Sequence, residues 1–161
     1  MIETLSSRGR AAETRNPGGW LLPLRVLLFG LCAPVLVRRG PERMAALLER
    51  ASSEPPSANP RMAEALARRV DRCLRASWPL VRRGCLTRGV TLYWFLRRAG
   101  FDVSLRFGIG EVDGRLEGHC WLVNDGLPLL EKRDPRAIYT ETWRIPWKPR
   151  VGEAVVLREE G

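Results

Sequence analysis

Residues 101–110, FDVSLRFGIG, change the period of the chain. Val103, Leu105, Phe107 and Ile109 alternate with Asp102, Ser104, Arg106 and Gly108, the two-residue repeat of a strand with one buried face. Val112-Asp113-Gly114-Arg115 supplies a turn after it, and residues 117–123 read as a second strand. Asn124-Asp125-Gly126 turns the chain again; 127–131 is a third strand and 139–145, stopped by Pro146, a fourth. Before residue 101 the repeat is helical. A helix from Cys85 to Arg98 is closed by Gly100 just past its end. Val90, Leu92, Tyr93, Trp94, Phe95 and Leu96 make it apolar on most sides, as expected of a central helix covered by other elements. Helices first and an antiparallel meander after them define an α+β layout.

Outward from this centre, residues 61–76 read as a helix. Leu66, Val70, Cys73 and Leu74 fall at helical spacing, and Arg68, Arg69, Arg72 and Arg75 form a solvated opposite face. Ser52-Ser53-Glu54-Pro55-Pro56-Ser57-Ala58-Asn59-Pro60 breaks the chain before it. Residues 41–50 form an amphipathic helix with Met44, Leu47 and Leu48 on one face. Residues 20–37 are rich in Leu and Val and approach the roughly 20 residues that span a bilayer. Pro23, Arg25, Gly30 and Pro34 interrupt them, so a buried or interfacial helix with peripheral membrane contact is expected, and a true bilayer span is the alternative. The resulting expected division is a mobile polar tail (1–19), an apolar helical segment and linker (20–60), an α+β core (61–148) and a second tail (149–161).

The chain of 161 residues suffices for one buried core. Its apolar fraction of 45% excludes a wholly disordered chain, and its charged fraction of 28% excludes a polytopic membrane protein. A net charge of +9 favours acidic partners. A nucleic-acid module would use Trp/Arg interleaving to stack bases, but the arginines are spread over several helices rather than focused in one stripe, so no nucleic acid is expected. Cys32, Cys73, Cys85 and Cys120 contain no C-x-x-C pair, which argues against a zinc site; no metal and no cofactor are expected. No secretion signal is evident at the amino terminus, so the thiols are expected to be reduced in a cytoplasm, with Cys32 and Cys73 as buried filler.

Two cysteines remain for chemistry. Cys85, after Gly84, opens the most apolar helix, where unpaired amides and the helix dipole stabilise a thiolate and can bind an oxyanion. The other reading of Cys85 is core filler. His119 is the single histidine, so any imidazole mechanism runs through it. A three-residue loop at 124–126 would pair Val123 with Leu127 and set His119 directly opposite Glu131, where a carboxylate can orient the imidazole. A two-residue Asp125-Gly126 turn would shift the pairing by one and turn Glu131 to the other face. Asp125 lies about 20 Å along the strand from His119 and is a poorer partner; Glu117, two positions away on the same face, is the reserve. Cysteine, histidine and acid together make the thiolate, base and orienting group of a cysteine peptidase.

Cys85-Leu86-Thr87-Arg88, the helix exit Leu96-Arg97-Arg98-Ala99-Gly100-Phe101, the strand Leu105-Arg106-Phe107-Gly108-Ile109-Gly110, and His119-Cys120-Trp121 before Asp125-Gly126 resemble the transglutaminase-like cysteine peptidase superfamily. Within it, the nearest resemblance is to the lasso-peptide biosynthesis B2 proteins, which remove leader peptides. The resemblance implies a papain-like α+β fold with the nucleophile at the start of a central helix, and a thioester intermediate that water resolves in a peptidase and an amine in a transglutaminase; the resemblance favours hydrolysis. It makes Cys85 the nucleophile, His119 the base and Glu131 the acid, and places Trp121 beside the site. It also implies a precursor peptide as substrate, with a separate leader-recognition protein and an ATP-dependent cyclase as partners. Two positions depart from the family pattern, which usually has Ala at 120 and Asp at 131. A non-catalytic scaffold of the same fold is the competing expectation, and it would show no thiol reactivity.

Overall fold

The computed structural model describes residues 21–49, 60–82 and 84–146. The expected tails at 1–19 and 149–161 and most of the Pro-rich break lie outside the described residues. Four helices, α1 (Leu22–Arg38), α2 (Pro41–Glu49), α3 (Pro60–Ala76) and α4 (Cys85–Arg98), precede four strands, β1 (Val103–Val112), β2 (Arg115–Asn124), β3 (Leu127–Leu129) and β4 (Thr140–Ile145). The helices pack against one antiparallel sheet, the expected α+β arrangement.

α4 lies at the centre, packed on α1, α3, β1 and β2. Gly89 through Tyr93 and Leu96 are buried along it. It ends as its sequence predicts. Gly100 takes φ +84°, the amide of Phe101 donates to the Leu96 carbonyl at 3.0 Å, and the amide of Gly100 donates to Arg97 at 3.0 Å. This is a Schellman closure, with Phe101 and Leu96 both buried beside it. α3 presents Ala63, Ala67, Val70 and Leu74 to the core. Its innermost residues are therefore partly alanines, which the larger apolar side chains of the pattern overshadow. α1 approaches α3 closely at Gly30, where an added Cβ would lie 3.2 Å from Leu74 and 3.1 Å from Val81. Val26 of α1 and Met44 and Leu48 of α2 belong to the same buried cluster as α4 and the sheet. No helix among the described residues is long and apolar enough to cross a membrane.

The strand order is β3-β2-β1-β4. The meander holds for β1 to β3, but β4 returns to the far side of β1, pairing Leu105 with Ile145 and Phe107 with Trp143. A short 3₁₀ turn at Pro135–Ala137 begins that crossing. The β2–β3 register also differs from expectation. Asn124 pairs with Leu127 and Leu122 with Leu129, so the loop is the two-residue Asp125-Gly126 turn. Both turn residues have positive φ, +51° and +77°, the conformation that matches strand twist in a two-residue hairpin. The three-residue loop, and the direct opposition of His119 and Glu131 that it predicted, are therefore incorrect. Cys32, expected as buried filler, is exposed, and Cys73 is partly buried.

Candidate active site

The sheet register sorts the β2 side chains. Phe107 faces Cys120 and Leu105 faces Leu122 on the side packed against α4. Gly108 faces His119 and Arg106 faces Trp121 on the opposite side. β3 pairs only with residues 122–124. At 119 and 120, β2 therefore has no β3 partner on that edge, and the first turn of α4 meets it there.

The contact is close because Gly89, one turn beyond Cys85, carries no side chain. A Cβ on Gly89 would lie 2.9 Å from Cys120 Sγ. Cys85 receives hydrogen bonds from both the thiol and the backbone amide of Cys120, and it also meets His119. These interactions, with the Cys120 thiol the strongest, outweigh partial burial and lower the Cys85 thiol to about 5. Cys85 is thus a thiolate at neutral pH. The same contact pushes Cys120 the other way: bonding to the Cys85 sulfur, then burial, then the Cys85 charge raise it far above the ordinary thiol range.

His119 Nε2 lies 3.4 Å from Glu131 Oε2. That leaves Nδ1 as the ring nitrogen free to serve the sulfur. The ring packs into a three-ring cluster with Tyr139, at 5.0 Å between centroids, and Trp121, at 6.1 Å and nearly parallel; those two rings also meet each other at 6.4 Å. Trp121 is buried and fits there because Gly108 leaves room: a Cβ on Gly108 would lie 2.9 Å from its ring.

Glu131 reaches His119 by a route the strand pattern does not contain. β3 stops at Leu129, and Leu130 takes φ +58°, breaking the alternation and re-aiming the next side chain. Arg88 then fixes it. Its Nη1 donates to Glu131 Oε1 at 2.9 Å, its Nη2 to the Leu130 carbonyl at 3.0 Å and its Nε to Asp71 Oδ1 at 3.1 Å. Asp71, 8% exposed, also pairs with Arg75 at 2.9 Å. One guanidinium thus ties the helix that opens at Cys85 to the loop carrying Glu131 and to α3. Sequence reasoning gave Arg88 no role of its own, although its spacing of three residues from Cys85 places it on the same helical side. Tyr139 was read only as the start of a strand. Glu117, the reserve acid, is exposed.

The structure therefore brings Cys85, His119 and Glu131 to one edge of the sheet. A cavity of about 600 Å³ opens beside them, lined by His119, Glu131, Arg88, Lys132 and Tyr139 among others. A second, apolar groove of about 730 Å³ is lined by Leu86 of α4, Phe107 and Trp143 among others. No cluster among the described residues is suited to a metal ion.

A thiolate at the mouth of a central helix, set against an imidazole on a strand edge, defines a papain-like α+β architecture. The profile of the transglutaminase-like superfamily matches residues 27–144, most of the chain, and the protein belongs to that superfamily. The matched range includes most of α1 and all of α2, in keeping with the core residues those helices contribute. Comparison with curated proteins and with solved structures returns no match.

Proposed function

We propose that the protein is a cysteine peptidase that removes the leader from a ribosomally made, lasso-type precursor peptide. The observation that carries the reading is the Cys85 thiolate in contact with His119, which is itself backed by Glu131. In this mechanism the thiolate attacks a peptide carbonyl, and the Cys85 amide at the helix start donates to the oxyanion. His119, protonated when Cys85 ionises, gives its proton to the leaving amine; water then attacks the thioester with His119 as base. Glu131 holds the imidazole in the required tautomer, and Arg88 holds Glu131. Two depressions, a polar one that includes His119 and an apolar one that includes Leu86, suit an extended peptide running past the helix start. The precursor peptide, a separate leader-recognition protein and an ATP-dependent cyclase are the partners this reading assigns, and the compartment is a reducing cytoplasm.

The test has two stages. Iodoacetamide at pH 6 labels Cys85 ahead of Cys32, Cys73 and Cys120, and His119→Ala slows that labelling. Slow and equal labelling of all four thiols would instead identify a non-catalytic scaffold. A lasso-type precursor peptide incubated with the protein is then cut between leader and core, and Cys85→Ala abolishes the cut. Labelling without cleavage of such precursors would retain the peptidase and reject the substrate class.

A further inference from the structure

The mechanism above leaves one nucleophilic group unused. Cys120 is buried at 2% exposure directly behind Cys85, which faces solvent. Its sulfur lies against Gly89, one turn along α4 on the side from which Cys85 projects, and its thiol donates to the Cys85 sulfur. The other two cysteines, Cys32 and Cys73, sit on α1 and α3. A solvent-facing thiolate backed by a second thiol in direct contact is the arrangement in which oxidation ends in a disulfide rather than in irreversible acids.

We propose that Cys85 and Cys120 form a peroxide-reactive thiol pair, a modification site that closes into a disulfide and reopens under a dithiol reductant. Cys85 sulfur attacks one oxygen of hydrogen peroxide; a sulfur–oxygen bond forms, the oxygen–oxygen bond breaks, and hydroxide leaves. Sulfur has lost two electrons and become a sulfenic acid. Cys120 sulfur then attacks the oxidised sulfur; the sulfur–sulfur bond forms and the sulfenic oxygen leaves as water, carrying the Cys120 proton. A dithiol returns two electrons and restores both thiols.

The order of these steps is built into the contact. Cys120 is held protonated chiefly by its bond to the Cys85 thiolate, with burial and the Cys85 charge adding to it. Oxidation replaces that anion by a neutral group. The resolving thiol is thereby released to ionise only after its partner has been oxidised. The pair uses the thiolate assigned above but needs no amide chemistry, so it goes beyond the peptidase reading.

The test uses the full chain with Cys32→Ser, which removes the exposed thiol on α1. Hydrogen peroxide at pH 7 is expected to remove the mass of two hydrogens, to join the Cys85 and Cys120 peptides in a map, and to abolish iodoacetamide labelling of Cys85. Dithiothreitol then restores more than about nine-tenths of the labelling. With Cys120→Ala added, the same peroxide adds two or three oxygens to Cys85, and dithiothreitol restores little. Cys120→Ser gives the same outcome and guards against a packing defect in the alanine variant. Irreversible oxidation of Cys85 at equal rate with and without Cys120, and no joined peptide, would overturn the proposal. Diamide separates the two readings, since it joins neighbouring thiols without peroxide. A diamide disulfide with failed labelling at pH 6 counts against the peptidase; normal labelling with no disulfide under either oxidant counts against the pair.

Discussion

The two hairpins of the sheet begin alike and end differently. Both turn on Asp-Gly, with φ of +51° and +73° at Asp113 and Gly114 and of +51° and +77° at Asp125 and Gly126. From the first turn, β1 and β2 pair without interruption from Val112–Arg115 to Val103–Asn124. From the second, β2 and β3 pair over only three residues before Leu130 breaks the ladder. The continuous hairpin builds the core. The interrupted one leaves an open strand edge, and that is where the helix start, the imidazole and the acid meet. Equal turns thus set equal registers, and the site arises where the pairing stops.

If the open edge matters because it lets His119 reach Cys85, the largest effect comes from removing the imidazole. His119→Ala is expected to lower amide cleavage by at least about 100-fold, the usual range for a lost general base. Labelling rates should show a second signature. Cys85 sits near 5, so its alkylation rises with pH through that value as the thiol ionises, and is lost below it. Cys120→Ala removes the strongest stabilising bond and moves that acid limb upward, towards the ordinary thiol range. An unmoved limb would show that the open edge, rather than Cys120, governs the sulfur.

The next effect concerns the clamp. Arg88→Ala leaves Glu131 and Asp71 without their shared cation and is expected to destabilise the fold by about 2 kcal/mol. It should also slow cleavage by roughly tenfold, because Glu131 no longer holds the ring in place. Arg88→Lys keeps a charge but not the three-way fork, so it should recover more stability than rate. Chemical denaturation and cleavage kinetics on the same two variants read the two effects apart.

Much of this was legible, for reasons that can be named residue by residue. The alternation at Val103, Leu105 and Phe107 and the Gly100 stop are local rules, and the structure obeys them. Ala63 and Ala67 were hidden because side-chain size, rather than position, drew attention to their neighbours. The partner of His119 is the instructive case. Glu131 was selected through a three-residue loop that does not exist, and it reaches the ring through a positive φ at Leu130 that no pattern of alternation encodes. Leucine is among the last residues one would place there, since its Cβ disfavours that region. Arg88 was quoted in the sequence without a role, because its partners Asp71, Leu130 and Glu131 lie 17, 42 and 43 residues away.

The smallest effect separates the turn from the clamp as the source of the site's geometry. Gly114→Ala and Gly126→Ala each place a Cβ at positive φ and should each cost about 1 kcal/mol, with open space around both. Their consequences for Cys85 differ between two accounts. If the Asp125-Gly126 turn aims Glu131, straining it shifts β3, and Gly126→Ala slows iodoacetamide labelling while Gly114→Ala does not. If Arg88 aims Glu131, both variants lose the same stability and label Cys85 at the wild-type rate. The second outcome is expected, because the Arg88 fork holds both the Leu130 carbonyl and the Glu131 carboxylate from α4, independently of the backbone conformation at either turn. The acid is then positioned from the same element that carries the sulfur, and small movements of the hairpin leave their spacing unchanged.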